Sequence, residues 1–235
     1  MTPPYDRYFD NRSVSPDEYR GYQLPRYLLD ALPPGRNARI LDIGCGFGQT
    51  LEGLGRLGYA SVRGVDVSSQ AVEACAARGL RVVLIEDLRA FCETSAERFD
   101  FVLMSHVLEH LPKAEIVDTL RAIREHLLAV GGALLVMVPN AQSPTGCYWA
   151  YEDFTHTTIF TAGSLLFVLR AAGFVEVALL DPDGMADSRP WARCLRRAFL
   201  RLYRAGWWAV NAATSSSFHR PSPQVFSFEV KALAR

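Results

Sequence analysis

Residues 38–48, Ala-Arg-Ile-Leu-Asp-Ile-Gly-Cys-Gly-Phe-Gly, constrain this chain more than any other stretch. Ile40, Leu41 and Ile43 read as a short strand buried on both faces. Asp42 interrupts that apolar run, and a carboxylate there needs a partner. Gly44, Gly46 and Gly48 follow at alternate positions, and a helix-like stretch begins at Gln49. A strand that turns through glycines into a helix brings bare backbone N–H groups up against a ligand, and a nucleotide is the ligand such a cradle takes. The dinucleotide fingerprint needs its third glycine at position 49, where Gln49 stands. That argues against a nicotinamide oxidoreductase.

The chain has 235 residues, enough for one α/β domain with additions and short for two. With 49% hydrophobic and 21% charged residues it reads as a soluble globular protein. Its formal net charge of zero gives no overall attraction for nucleic acid, and none is expected as a partner. Cys45, Cys75, Cys92, Cys147 and Cys194 form no Cys-x-x-Cys pair, so neither a disulfide framework nor a zinc site is expected. The polar N-terminus, with Pro3, Pro4, Asp6 and Arg7, is no signal peptide, and a cytoplasmic home follows as the expectation.

Residues 1–37 are rich in tyrosine (Tyr5, Tyr8, Tyr19, Tyr22, Tyr27), with Ser15-Pro16 as a helix start and Leu24, Leu28, Leu29 and Leu32 as an apolar stripe. After the glycines, 61–67 reads as a second strand ending at Asp66. That is about the distance at which a nucleotide-binding unit places its ribose-binding carboxylate. Ser68 or Ser69 then caps a helix through Ala77. Residues 81–85 and 99–105 make the third and fourth strands. Helix-like residues 113–129 are closed by Gly131-Gly132, and 133–138 form the fifth strand. A helix over 162–172, a sixth strand over 175–180 and a last strand over 225–233 follow, with an insertion at 181–223. The fold class expected is α/β, a Rossmann-like seven-stranded and mostly parallel sheet with helices on both faces and an antiparallel last strand.

The stretch ILDIGCGFG with VRGVDVS resembles motifs I and II of class I S-adenosylmethionine-dependent methyltransferases, and SHVLEHL after the fourth strand resembles their next motif. The resemblance covers residues 38 to 180 and the last strand. It implies S-adenosylmethionine as cofactor, held by Asp42, Gly44, Gly46 and Gly48, by Asp66 and Val67, by Asp87 (with Glu86 as rival) and Leu88 at the adenine, and by Ser105 and His106. It implies a methyltransferase domain at 38–235 with residues 1–37 as a helical lid over the cofactor; a helix packed on the sheet edge is the other reading of that segment. The loop at 139–160 looks like that of methyltransferases found with bacterial surface-polysaccharide biosynthesis. This implies O-methylation of a sugar hydroxyl of a glycan or glycan precursor. The alternative acceptor is a small aromatic or polyketide hydroxyl, and a non-catalytic S-adenosylmethionine binder is the further one.

Methyl transfer to a hydroxyl needs a base, and histidine is the usual one near neutral pH. His110 and His156 are the candidates, His156 ahead because it lies in the aromatic loop where substrate enters. Tyr148, Trp149, Tyr151 and Asp153 of that loop are the candidate substrate-binding residues. His106, His110, Asp153 and His156 also read as a ligand set, since His-x-x-x-His is a metal spacing. The resemblance supplies the same spacing without an ion, so no metal is expected. Within the insertion, residues 191–210 place Arg193, Arg197, Arg201 and Arg204 on one helical face, with Arg196 at its margin. Leu195, Ala198, Phe199, Leu202 and Ala205 lie opposite, and Trp207 and Trp208 stand at the end. Such a helix packs its apolar face on the domain or on a second subunit as a homodimer. Otherwise it lies peripherally on the inner face of the membrane, or its arginines bind phosphate.

Overall fold

The computed structural model of the chain describes residues 7–235, so Tyr5 of the tyrosine-rich segment lies outside the described residues. The N-terminal segment forms α1 (Tyr8–Asn11), a 3₁₀ turn (Pro16–Tyr19) held by a Ser15–Glu18 capping box, and α2 (Arg26–Ala31). Then β1 (Arg39–Ile43), α3 (Gln49–Arg56), β2 (Ser61–Asp66), α4 (Ser69–Ala76), β3 (Val82–Leu84), α5 (Leu88–Thr94) and β4 (Phe99–Ser105) alternate. The second half runs α6 (Ile116–Ala122), β5 (Leu128–Pro139), α7 (Gly146–Glu152), α8 (Ala162–Ala171), β6 (Val177–Leu180), α9 (Pro190–Thr214) and β7 (Glu229–Ala234).

The strands form a seven-stranded sheet in the order β3-β2-β1-β4-β5-β7-β6. β1 to β5 are parallel, and β7 runs antiparallel to both β5 and β6. Apolar side chains alternate across the sheet. Val102 and Met104 of β4 pack with Leu120 and Leu169 on one face, while Phe101 and Leu103 pack with Leu28 and Leu54 on the other. This is why β1 and β4 read as mostly apolar rather than alternating: helices cover both faces. The order reverses between β1 and β4, and a parallel sheet of this kind binds ligands beyond the carboxyl ends of its strands at that point.

Several sequence expectations need correction. Gly131 and Gly132 do not close a helix. The helical chain ends in a π turn (Ile123–Leu127) and passes straight into β5, whose pairing with β4 shifts register between Phe99 and Phe101. The two glycines sit at that irregularity, Gly131 with φ +76°. Residues 139–160 are not all loop, because α7 occupies their middle. The last strand is shorter than 225–233: β7 begins at Glu229, and it lies antiparallel between β5 and β6.

Candidate active site

The glycine turn leaves β1 directly under the switch point. Gly44 has φ +69°, and a Cβ there would stand 2.2 Å from Val107 Cγ2. Gly46 has φ +52° and meets only Phe9 Cζ, at 3.8 Å, so the space above it is cavity. Gly44→Ala should therefore destabilise the protein by about 1–2 kcal/mol for the left-handed backbone and roughly 1–3 kcal/mol for overlap. A melting temperature lower by at least ~5 °C is expected, with Val107→Ala restoring part of it. An unchanged melting temperature would show that this approach is not tight.

A cavity of about 1070 Å³ opens above the turn. Its floor is Asp42, Gly44, Gly46 and Asp66, with Val67, Glu86, Asp87 and Leu88 along one wall and Ser105, His106 and His110 along another. Tyr8, Phe9, Tyr19, Tyr22 and Tyr27 line it from the N-terminal segment, and Trp149, Asp153, His156 and Glu229 from the far side. Gly48 is a correction: it does not line the cavity. It caps α3 at φ +77°, where a Cβ would meet Leu80 Cδ1 at 2.5 Å and Cys75 Sγ at 2.9 Å. Tyr148 and Tyr151 are corrections too. α7 turns about 100° per residue, so the side that carries Trp149 inward carries Tyr148 and Tyr151 out, and Tyr151 is 82% exposed.

S-adenosylmethionine fits these residues. Asp42 is buried, its carboxylate has no hydrogen-bond partner among the described residues, and it lines the cavity. Burial and the neighbouring Asp66 push its pKa well above the carboxylate range, so the site wants a cation, which the cofactor's ammonium supplies. Asp66 accepts the Gly46 N–H at 2.8 Å and the Ser68 N–H at 2.9 Å, which aims its carboxylate across the mouth of the turn. Asp87 caps α5 by accepting the Ala90 N–H at 2.7 Å and stands exposed at the cavity wall beside Leu88.

His106 follows β4 in a left-handed conformation, φ +55°, and its N–H donates to Met137 O at 3.0 Å. Its ring bridges Glu109 Oε1 at 3.2 Å and Glu229 Oε1 at 2.8 Å. Burial works against its charge, but the two carboxylates outweigh it and lift the pKa to about 10. The ring is an imidazolium at neutral pH, and its accessible surface is cavity surface. Glu229 also lies 3.3 Å from Lys231 Nζ, a buried lysine under Tyr27.

His110 and His156 meet edge to face, ring centroids 4.7 Å apart. Asp153 accepts Thr155 Oγ1–H at 2.6 Å, and Thr155 Oγ1 lies 2.8 Å from His110 Nδ1. With its own proton given to Asp153, the threonine oxygen accepts from His110 Nδ1–H, so Nε2 is the basic nitrogen. Burial is the leading influence on His110 and, with His156 beside it, holds its pKa below the usual value. His156 is almost wholly buried and directs Nδ1 to Trp149 O at 2.6 Å. Its Nε2 is 3.9 Å from Glu109 and 3.8 Å from Asp153. Glu109, His110 and His156 bring donor atoms within 4.8 Å of one another.

Two contacts were missed in the sequence. Tyr8 donates to Asp153 Oδ2 at 2.5 Å, and Arg12 Nη1 donates to the same oxygen at 2.8 Å. Burial would raise the pKa of Asp153, yet the bonds from Thr155 and Tyr8 bring it down to about 2. Phe9 packs on Phe47 of the glycine turn, rings 4.3 Å apart, and both rings line the cavity. Glu229 was missed as well. Its signal was the alternation of Glu229 and Lys231 in an otherwise apolar strand.

A family model described as a methyltransferase domain matches residues 17–179. A ubiquinone biosynthesis O-methyltransferase of Xylella fastidiosa (strain 9a5c) is 33% identical over 168 residues, 60% of this chain and 65% of that protein. The chain thus spans just under two thirds of that relative. One of the same name from Cereibacter sphaeroides is 32% identical over 172 residues, 67% of each. The crystal structure of a SAM-dependent methyltransferase from Archaeoglobus fulgidus shares the fold, with TM-score 0.65 and 19% identity over 97% of both chains. The motifs, the strand order and the matched domain together make this chain a member of the class I S-adenosylmethionine-dependent methyltransferases.

Proposed function

We propose that the protein O-methylates a small aromatic hydroxyl compound, with His110 as general base. The observation that carries this reading is the Asp153–Thr155–His110 chain beside a cavity walled by Tyr22, Tyr27 and Trp149. Aromatic walls suit a flat, apolar acceptor. The relatives named above, ubiquinone biosynthesis O-methyltransferases, support a small-molecule acceptor and put it ahead of the sugar hydroxyl expected from the 139–160 segment.

When bound, S-adenosylmethionine supplies an electrophilic methyl group on a sulfonium. Asp42 and the backbone N–H groups of the turn would hold its methionine end, Asp66 the ribose, and Asp87 with Leu88 the adenine. His106, fixed between two carboxylates, shapes the wall between cofactor and acceptor. His110 Nε2 takes the acceptor's hydroxyl proton, and the carboxylates of Glu109 and Asp153 stabilise the imidazolium that results. His156 buttresses the His110 ring. The segment through α1 acts as a lid that excludes water, tied down by Tyr8 and Arg12 on Asp153.

The test is a panel of phenols and sugars with labelled methyl donor. Label on a phenolic oxygen is the expected result. Label on sugars alone would return the acceptor to the glycan class.

A further inference from the structure

We propose that α9 is a bilayer-docking helix that holds the protein on anionic lipid. The helix binds the domain through only one side. Tyr203 packs against Phe226 with ring centroids 5.2 Å apart, and Trp207 against Phe218 at 5.8 Å. Arg204 pairs with Asp183 at 3.3 Å, and Arg196 donates to Ser188 Oγ at 2.8 Å. At 100° per residue, Leu200, Tyr203 and Trp207 share that side, and Trp191, Leu195, Ala198 and Leu202 fall opposite. The apolar stripe therefore faces away from the domain, and no residue of α9 is buried. Trp191 is 67% exposed and Leu202 69%. Packing of this stripe on its own domain, one expectation from the sequence, is excluded.

Charge selects the occupant. Residues Pro190–Thr214 contain no carboxylate. Arg201 stands at one margin of the stripe, with Arg197 beyond it on the same side, and neither makes an ion pair among the described residues. A layer of anionic headgroups over an apolar interior matches both features at once. Trp191 stands at the N-terminal end of the stripe, and Trp208, on the arginine margin near the other end of the helix, is also exposed; indole rings favour the headgroup level. Among the described residues no helix is long and apolar enough to cross a membrane, so α9 lies along the surface. The helix is tied to the ligand end of the sheet: Asp187, just before it, accepts the backbone N–H of Arg26 at 3.0 Å, beside Tyr27 of the cavity.

Flotation with phosphatidylglycerol vesicles and with phosphatidylcholine vesicles tests this. The protein should float with the anionic vesicles at low salt, with a blue shift of tryptophan emission, and bind the zwitterionic ones at least ~tenfold less. High salt should release it. The double variant Arg197→Gln/Arg201→Gln should lose roughly tenfold or more in bound fraction, and Leu195→Glu/Leu202→Glu should not float. Both variants should bind S-adenosylhomocysteine with wild-type affinity by calorimetry, which shows that they are folded. Wild-type protein left in the supernatant at low salt overturns the proposal. So does flotation indifferent to the leucine pair, or a dimer that the leucine pair dissolves in the absence of vesicles.

Discussion

His110→Ala lowers kcat by roughly 10²–10⁴-fold, the usual worth of a positioned base, while the affinity for S-adenosylhomocysteine stays within about twofold of wild type, because uniform binding is untouched. The pH profile distinguishes a base from a structural residue. The ring must be neutral to accept a proton. Its burial holds the pKa below the ordinary histidine value, so it is neutral across the whole neutral range. Wild-type kcat should fall only on the acid side, below the usual histidine pKa, and that limb should be gone in His110→Ala. Thr155→Val keeps the ring but removes the acceptor that selects its tautomer, so it should lower kcat with KM little changed. His156→Ala should cost less than His110→Ala. A profile unchanged in His110→Ala, with wild-type turnover, would return the role to His156 or to a mechanism without a protein base.

Asp66→Ala should weaken binding of S-adenosylhomocysteine by about 1.5–3 kcal/mol, the worth of hydrogen bonds to a charged group. This is a rise in Kd of roughly 10- to 150-fold. The substitution also strips an acceptor from the Gly46 and Ser68 N–H groups, so the turn itself loosens. Asp66→Asn keeps an acceptor for one of them and should fall between. The measurement is calorimetry on variants whose circular dichroism matches wild type. A Kd within about twofold of wild type would remove Asp66 from the cofactor site.

Much of this was legible in the chain because its signals are local. The run through Ile40 to the glycines, the capping Ser68 and the strand over Phe99–Ser105 each declare themselves within a few residues. What was not legible lies far apart in sequence. His106 meets Glu229 across 123 positions, and Tyr8 meets Asp153 across 145. No periodicity encodes such pairs; they follow from strand register, which sets Pro139 opposite Glu229. Tyr148 and Tyr151 misled for the opposite reason. A cluster of aromatics in sequence becomes two faces once the segment is helical, and only Trp149 turns inward.

The place of β7 between β5 and β6 also bears on the order in which the molecule is assembled. Leu134 pairs with Ala234, the most distant strand pairing among the described residues, and there β6 has no strand neighbour except β7. Contacts this distant are slow to form, because chain entropy is lost before any pairing repays it. β1 to β4 can collapse around Leu41 and Val102 first. Glu229 reaches His106 only when β7 slides into its slot. In refolding, secondary structure should therefore recover before the capacity to bind S-adenosylhomocysteine, and the histidine wall should be the last part of the pocket to become rigid.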